Sequence, residues 1–419
     1  MTHRYRLPFH DAIVAELRQR ESQSWQWFAQ QVLGEEHRQA QVTAILKRNA
    51  RLKEGTAPEL EQALEIAREK LQETRPVSLY RTLGRIEPNA SIVVHPDRLH
   101  IALAGNIESL LDATELTALF GHELAHAALW AEDGGELLIA DQLLGAWAHQ
   151  SGASVWQETS RRFQLLNELA CDRVALQVTE SLEATVSCLV KVSTGNSQCN
   201  GADYLQQASE IFEREGGWAG QMGSEGWTHP EHHLRALALL WWSQRGTEAE
   251  DDIQRLVEGR SDLTRMTLLD QRRWTDWTVQ LVRHILSPAW RATETSVNHA
   301  RLFAPSLPES GPIRATEPLE SLANALEFSG AELRDYACYL LLDFATCDPS
   351  LGDLAIAQAI FLGQQLKIEE RLSELLRRDL KLRKRQIASL TRKAEELIAE
   401  AADRIAATDL NTGDEGDAS

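Results

Sequence analysis

Cysteine is scarce in this chain. Its 419 residues hold five, Cys171, Cys188, Cys199, Cys338 and Cys347. They are odd in number and never form a Cys-x-x-Cys pair, so there is no basis for a disulfide framework. They read as reduced thiols, which places the expected compartment in the cytoplasm. Long apolar runs are also missing. The most apolar windows, Ile101 to Ala104 and Ala236 to Trp242, fall far short of the roughly 20 residues a bilayer crossing needs, so no membrane span is expected. The start, Met1-Thr2-His3-Arg4-Tyr5-Arg6, runs into Pro8, His10 and Asp11 instead of an apolar signal core, and no secretion signal is read there. Basic residues are outnumbered, 43 against 62 acidic, for a net charge of −19. That balance argues against a broad nucleic-acid-binding surface. Hydrophobic content of 43% with 25% charged residues suits a soluble globular chain of two or three domains.

Residues 1–75 are expected to form a helical segment, with Ile13, Val14, Leu17, Trp25, Phe28 and Val32 at three- and four-residue steps and a Gly55-Thr56-Ala57-Pro58 break. Residues 76–245 have a different texture. Val77 to Arg81, Ser91 to Val94 and His100 to Leu103 read as short strands of a small sheet. Asp112-Ala113-Thr114-Glu115 then supplies a capping box for a helix. A second helix is predicted from about Ser160, and the Gly-, Ser- and Asn-rich stretch from Thr194 to Gly226 reads as loops. Residues 246–365 are expected to be a helical domain. Seven of the twelve tryptophans lie between Trp218 and Trp290, and core packing accounts for them better than a ligand platform. Residues 366–407 read as a long charged helix or coiled coil, with Leu380, Ile387, Leu390, Ala394, Leu397 and Ala401 at heptad positions. Residues 408–419 read as a disordered acidic tail. The fold class expected is mainly α with a small β-sheet.

Chemistry centres on Gly121-His122-Glu123-Leu124-Ala125-His126. Residues four apart share a helix face, so His122 and His126 can present two imidazoles to one zinc ion, and Glu123 can reach a water on that ion as general base. A third ligand is needed. Glu132 lies six residues after His126, but the glycine that such a turn requires three residues after the second histidine is here Leu129. Glu168, in Asn167-Glu168-Leu169-Ala170-Cys171-Asp172, has an aspartate four residues on along the same face. That pair fits a ligand and a carboxylate, Asp172, that orients a ligating histidine.

With these motifs the chain resembles the HtpX and CAAX-prenyl-protease-like zinc metallopeptidases of the gluzincin type. Asn89-Ala90 ahead of a strand, Gly105-Asn106-Ile107, Asp112 to Leu116 and the histidine motif follow that family's order. Glu168-x-x-Cys171-Asp172-x-x-Ala175 is similar to its Glu-x-x-Ala-Asp-x-x-Ala element, with Cys171 in place of the usual alanine. Thr228-His229-Pro230 followed by Arg235 resembles its Ser/Thr-His-Pro element. The resemblance covers residues 78 to 240 and implies a zincin-like domain. It implies one Zn2+ per chain on His122, His126 and Glu168. His229 would stabilise the oxyanion, Arg235 would support the site electrostatically, and Asn89 and Ala90 would lie where substrate binds. The neighbouring His232 and His233 read as helix-surface residues.

The function expected is zinc-dependent hydrolysis of peptide bonds in a protein or peptide substrate, laid along the strand at Asn89 to Val94. The alternative is a catalytically silent scaffold that binds partners through its helical arms. The C-terminal helix, with its basic run Arg377 to Arg385, would serve a partner protein or a second copy of the chain.

Overall fold

The computed structural model describes residues 5–150, 152–214, 231–305, 307–308 and 313–413, with side chains to residue 404. Helices make up 74% of it and the sheet has four strands, so the fold is mainly α with a small β-sheet. Two compact units divide the chain. The first is Met1–Gly259 with Thr267–Leu269, and the second is Arg260–Met266 with Asp270–Ser419. No helix among the described residues is long and apolar enough to cross a membrane.

The first unit opens with α1 (Pro8–Arg20), α2 (Ser22–Val32) and α3 (Glu35–Arg48). The helical segment expected over residues 1–75 is interrupted by β1 (Asn49–Arg51), which adds to the sheet as an edge. Three residues are too few to show an alternation in sequence, and their strand state comes from antiparallel pairing with β2 (Val77–Thr82), Ala50 opposite Arg81. After α4 (Pro58–Leu71) and β2 come β3 (Asn89–His95) and β4 (Arg98–Ala104), giving the order β1-β2-β4-β3. β4 runs parallel to β2 and antiparallel to β3, with Ile92 opposite Ile101. As a central strand it is apolar on both faces. Leu99, Ile101 and Leu103 join the main core, whereas Ala102 packs with Tyr80 and with Ile45 of α3 on the other side. β3 is left as an edge.

Below the sheet, α5 (Ile107–Leu110) leads into α6 (Ala113–Ala131). α6 is apolar almost all round, with Leu116, Leu119, Phe120, Leu124, Ala127 and Leu129 buried, as suits a helix enclosed by others. α4 covers it with Leu60, Ala63, Leu64 and Ala67, a single stripe at helical spacing. Burying each of those leucines contributes about 1.5–3 kcal/mol. On its other side lies α8 (Ser154–Thr179), reached through α7 (Glu136–Gln150). α8 begins six residues before the predicted start near Ser160. Then follow α9 (Leu182–Thr194), α10 (Gly201–Arg214), α11 (His232–Arg245) and α12 (Glu250–Glu258). Much of the stretch from Thr194 read as loop is therefore helix, namely α10.

The second unit is helical: α13 (Leu268–Leu286), α14 (Glu294–Ala300), α15 (Leu319–Glu327), α16 (Ala331–Thr346), α17 (Gly352–Gln365), α18 (Glu369–Asp379) and α19 (Lys384–Gly413). Trp274, Trp277 and Trp290 are buried, and Trp277 donates Nε1–H to the Leu322 carbonyl at 3.1 Å. Trp241 and Trp242 are half-buried against the core of the first unit, and Trp218 and Trp227 lie outside the described residues. The charged C-terminal stretch is two helices, separated where Lys381 takes φ of 57°. Ile387, Ala394 and Ala401 on α19 are buried, and α19 packs along α17 of its own unit.

Candidate metal centre

α6 begins with the expected capping box. The Asp112 carboxylate accepts from the backbone N–H of Thr114 and Glu115, each at 2.9 Å, and Glu115 accepts from the N–H of Asp112 at 2.9 Å. The buried Glu115 carboxylate also accepts from Lys191 Nζ of α9 at 2.7 and 2.9 Å. With its start fixed in this way, α6 carries His122 and His126 on one face. Gly121 lets α8 come close, since a Cβ there would stand 3.3 Å from Ala175 Cα and Val178 Cβ. α8 then brings Glu168, Cys171 and Asp172 to the imidazoles.

Among the described residues, His122, His126 and Glu168 form the group of metal-ligating side chains, with donor atoms all within 4.8 Å of one another. The two Nε2 atoms are 3.2 Å apart, and Glu168 oxygens lie 3.4 Å from that of His122 and 3.5 Å from that of His126. Ligands at about 2.0–2.1 Å around a tetrahedral ion stand roughly 3.3–3.4 Å from each other. The donor set, two imidazoles and a carboxylate, therefore fits zinc in both chemistry and spacing. Glu132 follows the end of α6 and is not in the group.

The two imidazoles are held differently. His122 Nδ1 is 2.9 Å from Asp172 Oδ1. Asp172 accepts from Arg235 Nε and Nη2, both at 2.7 Å, while Arg235 Nη1 lies 2.9 Å from Glu168 Oε2. Burial opposes charge on all three. Even so, the hydrogen bonds and charges of Asp172 and Glu168 push His122 up to about 10, and Arg235 and His122 hold Asp172 down at about 2. Arg235 is pushed up by the same two carboxylates. His126 instead places Nδ1 3.3 Å from Cys171 Sγ and stacks on Trp130, with ring centroids 5.2 Å apart. Burial and the neighbouring carboxylates push the Cys171 thiol far up, so it is a neutral partner. With each Nε2 turned to the metal position, each Nδ1 carries the hydrogen.

A cleft of about 650 Å³ opens over this group. Glu123, His232 and Arg235 line it, and so do Asn89 and Ala90 at the start of β3. His232, at the start of α11, lines the cleft but is not part of the metal-ligating group. His229, with Thr228 and Pro230, lies outside the described residues. Two site contacts were missed in the sequence. Trp130 stands one turn after His126, a spacing that was legible. The contact of Cys171 with His126 depends on the rotation of α8 and had no signal of its own.

Among curated proteins, the chain is similar to the plastoglobule-localized metallopeptidase 48, chloroplastic, of Arabidopsis thaliana, at 30% identity over 171 residues. The match takes in 38% of this chain and 49% of that protein, so the chain spans about half the length of the relative. No family model and no solved structure matches. The chain is thus distantly similar to a metallopeptidase and has a His-His-Glu group able to hold a metal ion.

Proposed function

We propose that this chain is a zinc-dependent endopeptidase of the gluzincin type, akin to the HtpX and CAAX-prenyl-protease-like enzymes. The reading is carried by two imidazole nitrogens 3.2 Å apart with one Glu168 oxygen 3.4 Å from the first and the other 3.5 Å from the second, and Glu123 beside them in an open cleft. His122, His126 and Glu168 hold the ion. Zinc supplies a Lewis acid and lowers the pKa of its water to about 7.

Glu123 takes the proton of the attacking water and hands it to the departing amine. Asp172 fixes the tautomer and orientation of His122. Arg235 is a positioning residue, since its guanidinium nitrogens face Asp172 and Glu168. His229 would meet the oxyanion, as the resemblance implies. An extended substrate pairs with the edge strand β3 and reaches the cleft at Asn89 and Ala90.

Digestion of casein by the full chain, with and without a zinc chelator, tests this together with metal analysis. Glu123→Gln should retain about one zinc per chain and lose on the order of 10²–10⁴ in kcat. Chelator-insensitive cleavage, or full activity in that variant, would sink the assignment.

A further inference from the structure

The two imidazoles of the metal-ligating group are steadied by unlike neighbours. His122 Nδ1 faces the Asp172 carboxylate at 2.9 Å, the kind of partner that fixes the tautomer and ring plane of a metal-bound histidine. Among the described residues, neither a carboxylate nor a carbonyl bonds to His126 Nδ1. Its polar neighbour is Cys171 Sγ at 3.3 Å, and a thiol sulfur is a weak acceptor. That contact alone constrains the ring plane poorly.

The remaining contacts of the His126 ring are aromatic. His122 meets it edge to face, with centroids 4.9 Å apart. Trp130, one turn further along α6, lies flat against it, with centroids 5.2 Å apart and ring planes at 29°. Trp130 is half-buried against the core of the first unit. Its Nε1–H is buried and has no hydrogen-bond partner among the described residues. An unpaired buried donor costs stability, and a leucine or phenylalanine would fill space here without that cost. What the indole adds is an electron-rich face. An imidazole bound to a cation carries part of its charge, and such a face attracts that charge.

We propose that Trp130 is a positioning residue of the metal centre: its indole face holds the plane of His126 so that Nε2 points at the ion, the part that Asp172 plays for His122. Trp130 does not line the cleft, so it acts through His126 and not on substrate. The proposal rests on the zinc-peptidase reading.

Trp130→Leu keeps apolar bulk and removes the aromatic face, whereas Trp130→Phe keeps a face. In chelator competition with the full chain, Trp130→Leu should weaken zinc about tenfold and Trp130→Phe less than about threefold. With Co2+ in place of zinc, the visible absorption bands of Trp130→Leu should shift from those of the parent, and those of Trp130→Phe should match them. Equal losses of zinc affinity in the two variants, or a loss below about threefold in Trp130→Leu, would overturn the proposal and leave the indole as core packing. So would unchanged Co2+ bands in Trp130→Leu. If that variant does not fold, Trp130→Met, which adapts to irregular space, gives the same comparison. A parent chain that binds neither zinc nor Co2+ would end the zinc-peptidase reading and this one with it. A parent that binds both, with Trp130→Leu binding them as tightly, would end this inference alone.

Discussion

Two histidines of the first unit are buried in opposite electrostatic surroundings. His10 on α1 is fully buried, edge-on to Phe163 at 5.4 Å, and its Nδ1 accepts from the Leu7 N–H at 3.0 Å. Burial, and then the positive charges of Arg6 and Arg173, hold it down at about 3. His122 is deep as well, yet Asp172 and Glu168 push it up to about 10. The difference lies in the carboxylates. At His10 the ring nitrogen that is bonded meets a backbone N–H and no carboxylate, and the imidazole stays neutral. Around His122 the chain gathers Glu168 and Asp172 against one guanidinium and leaves a negative balance that a cation satisfies.

The comparison breaks most severely if Arg235 is removed. Arg235→Met leaves two buried carboxylates without their cation and should destabilise the metal-free protein by about 3–5 kcal/mol in a denaturant titration, part of it restored by zinc. A change below about 1 kcal/mol would mean that water reaches those carboxylates. Next in size is the difference between the two outer partners. Asp172→Asn should weaken zinc about 10- to 100-fold in chelator competition, whereas Cys171→Ala, which removes a neutral partner, should weaken it less than about tenfold. Equal losses would show that the two sides of the centre are held alike.

The smallest effect is at His10. Its folded pKa lies below its unfolded one, so the unfolded chain takes up the proton first as pH falls below about 6.5, and stability drops from there toward pH 3. His10→Gln keeps an acceptor for the Leu7 N–H without titrating. It should abolish about 1 kcal/mol of the loss between pH 7 and 5.5, read from denaturation midpoints. Identical pH profiles for parent and variant would show that His10 is protonated in the folded chain.

What could be read from the sequence was what repeats along one helix. His122, Glu123 and His126 share a turn, Asp112 and Glu115 announce the start of α6, and Glu168 with Asp172 repeats the four-residue step on α8. What could not be read depends on how helices meet. Cys171 meets His126 only because α8 is rotated to bring Glu168 inward. β1 is a strand only because β2 offers it a partner. The apolar stripe of α19 was visible, but the surface it covers, α17, was not: a heptad pattern states that a face is buried and not against what.

Gly121 connects these levels. Its missing side chain lets α6 approach the backbone of α8 at Ala175 and the side chain of Val178 one residue before His122. The imidazole pair rides on one helix and the carboxylate on the other, so the gap between the helices sets the spacing of the group able to hold a metal ion. A single methyl at position 121 would be a shim: Ala175 and Val178 would have to give by a few tenths of an ångström, and the spacing of the two imidazoles from Glu168 would shift with them.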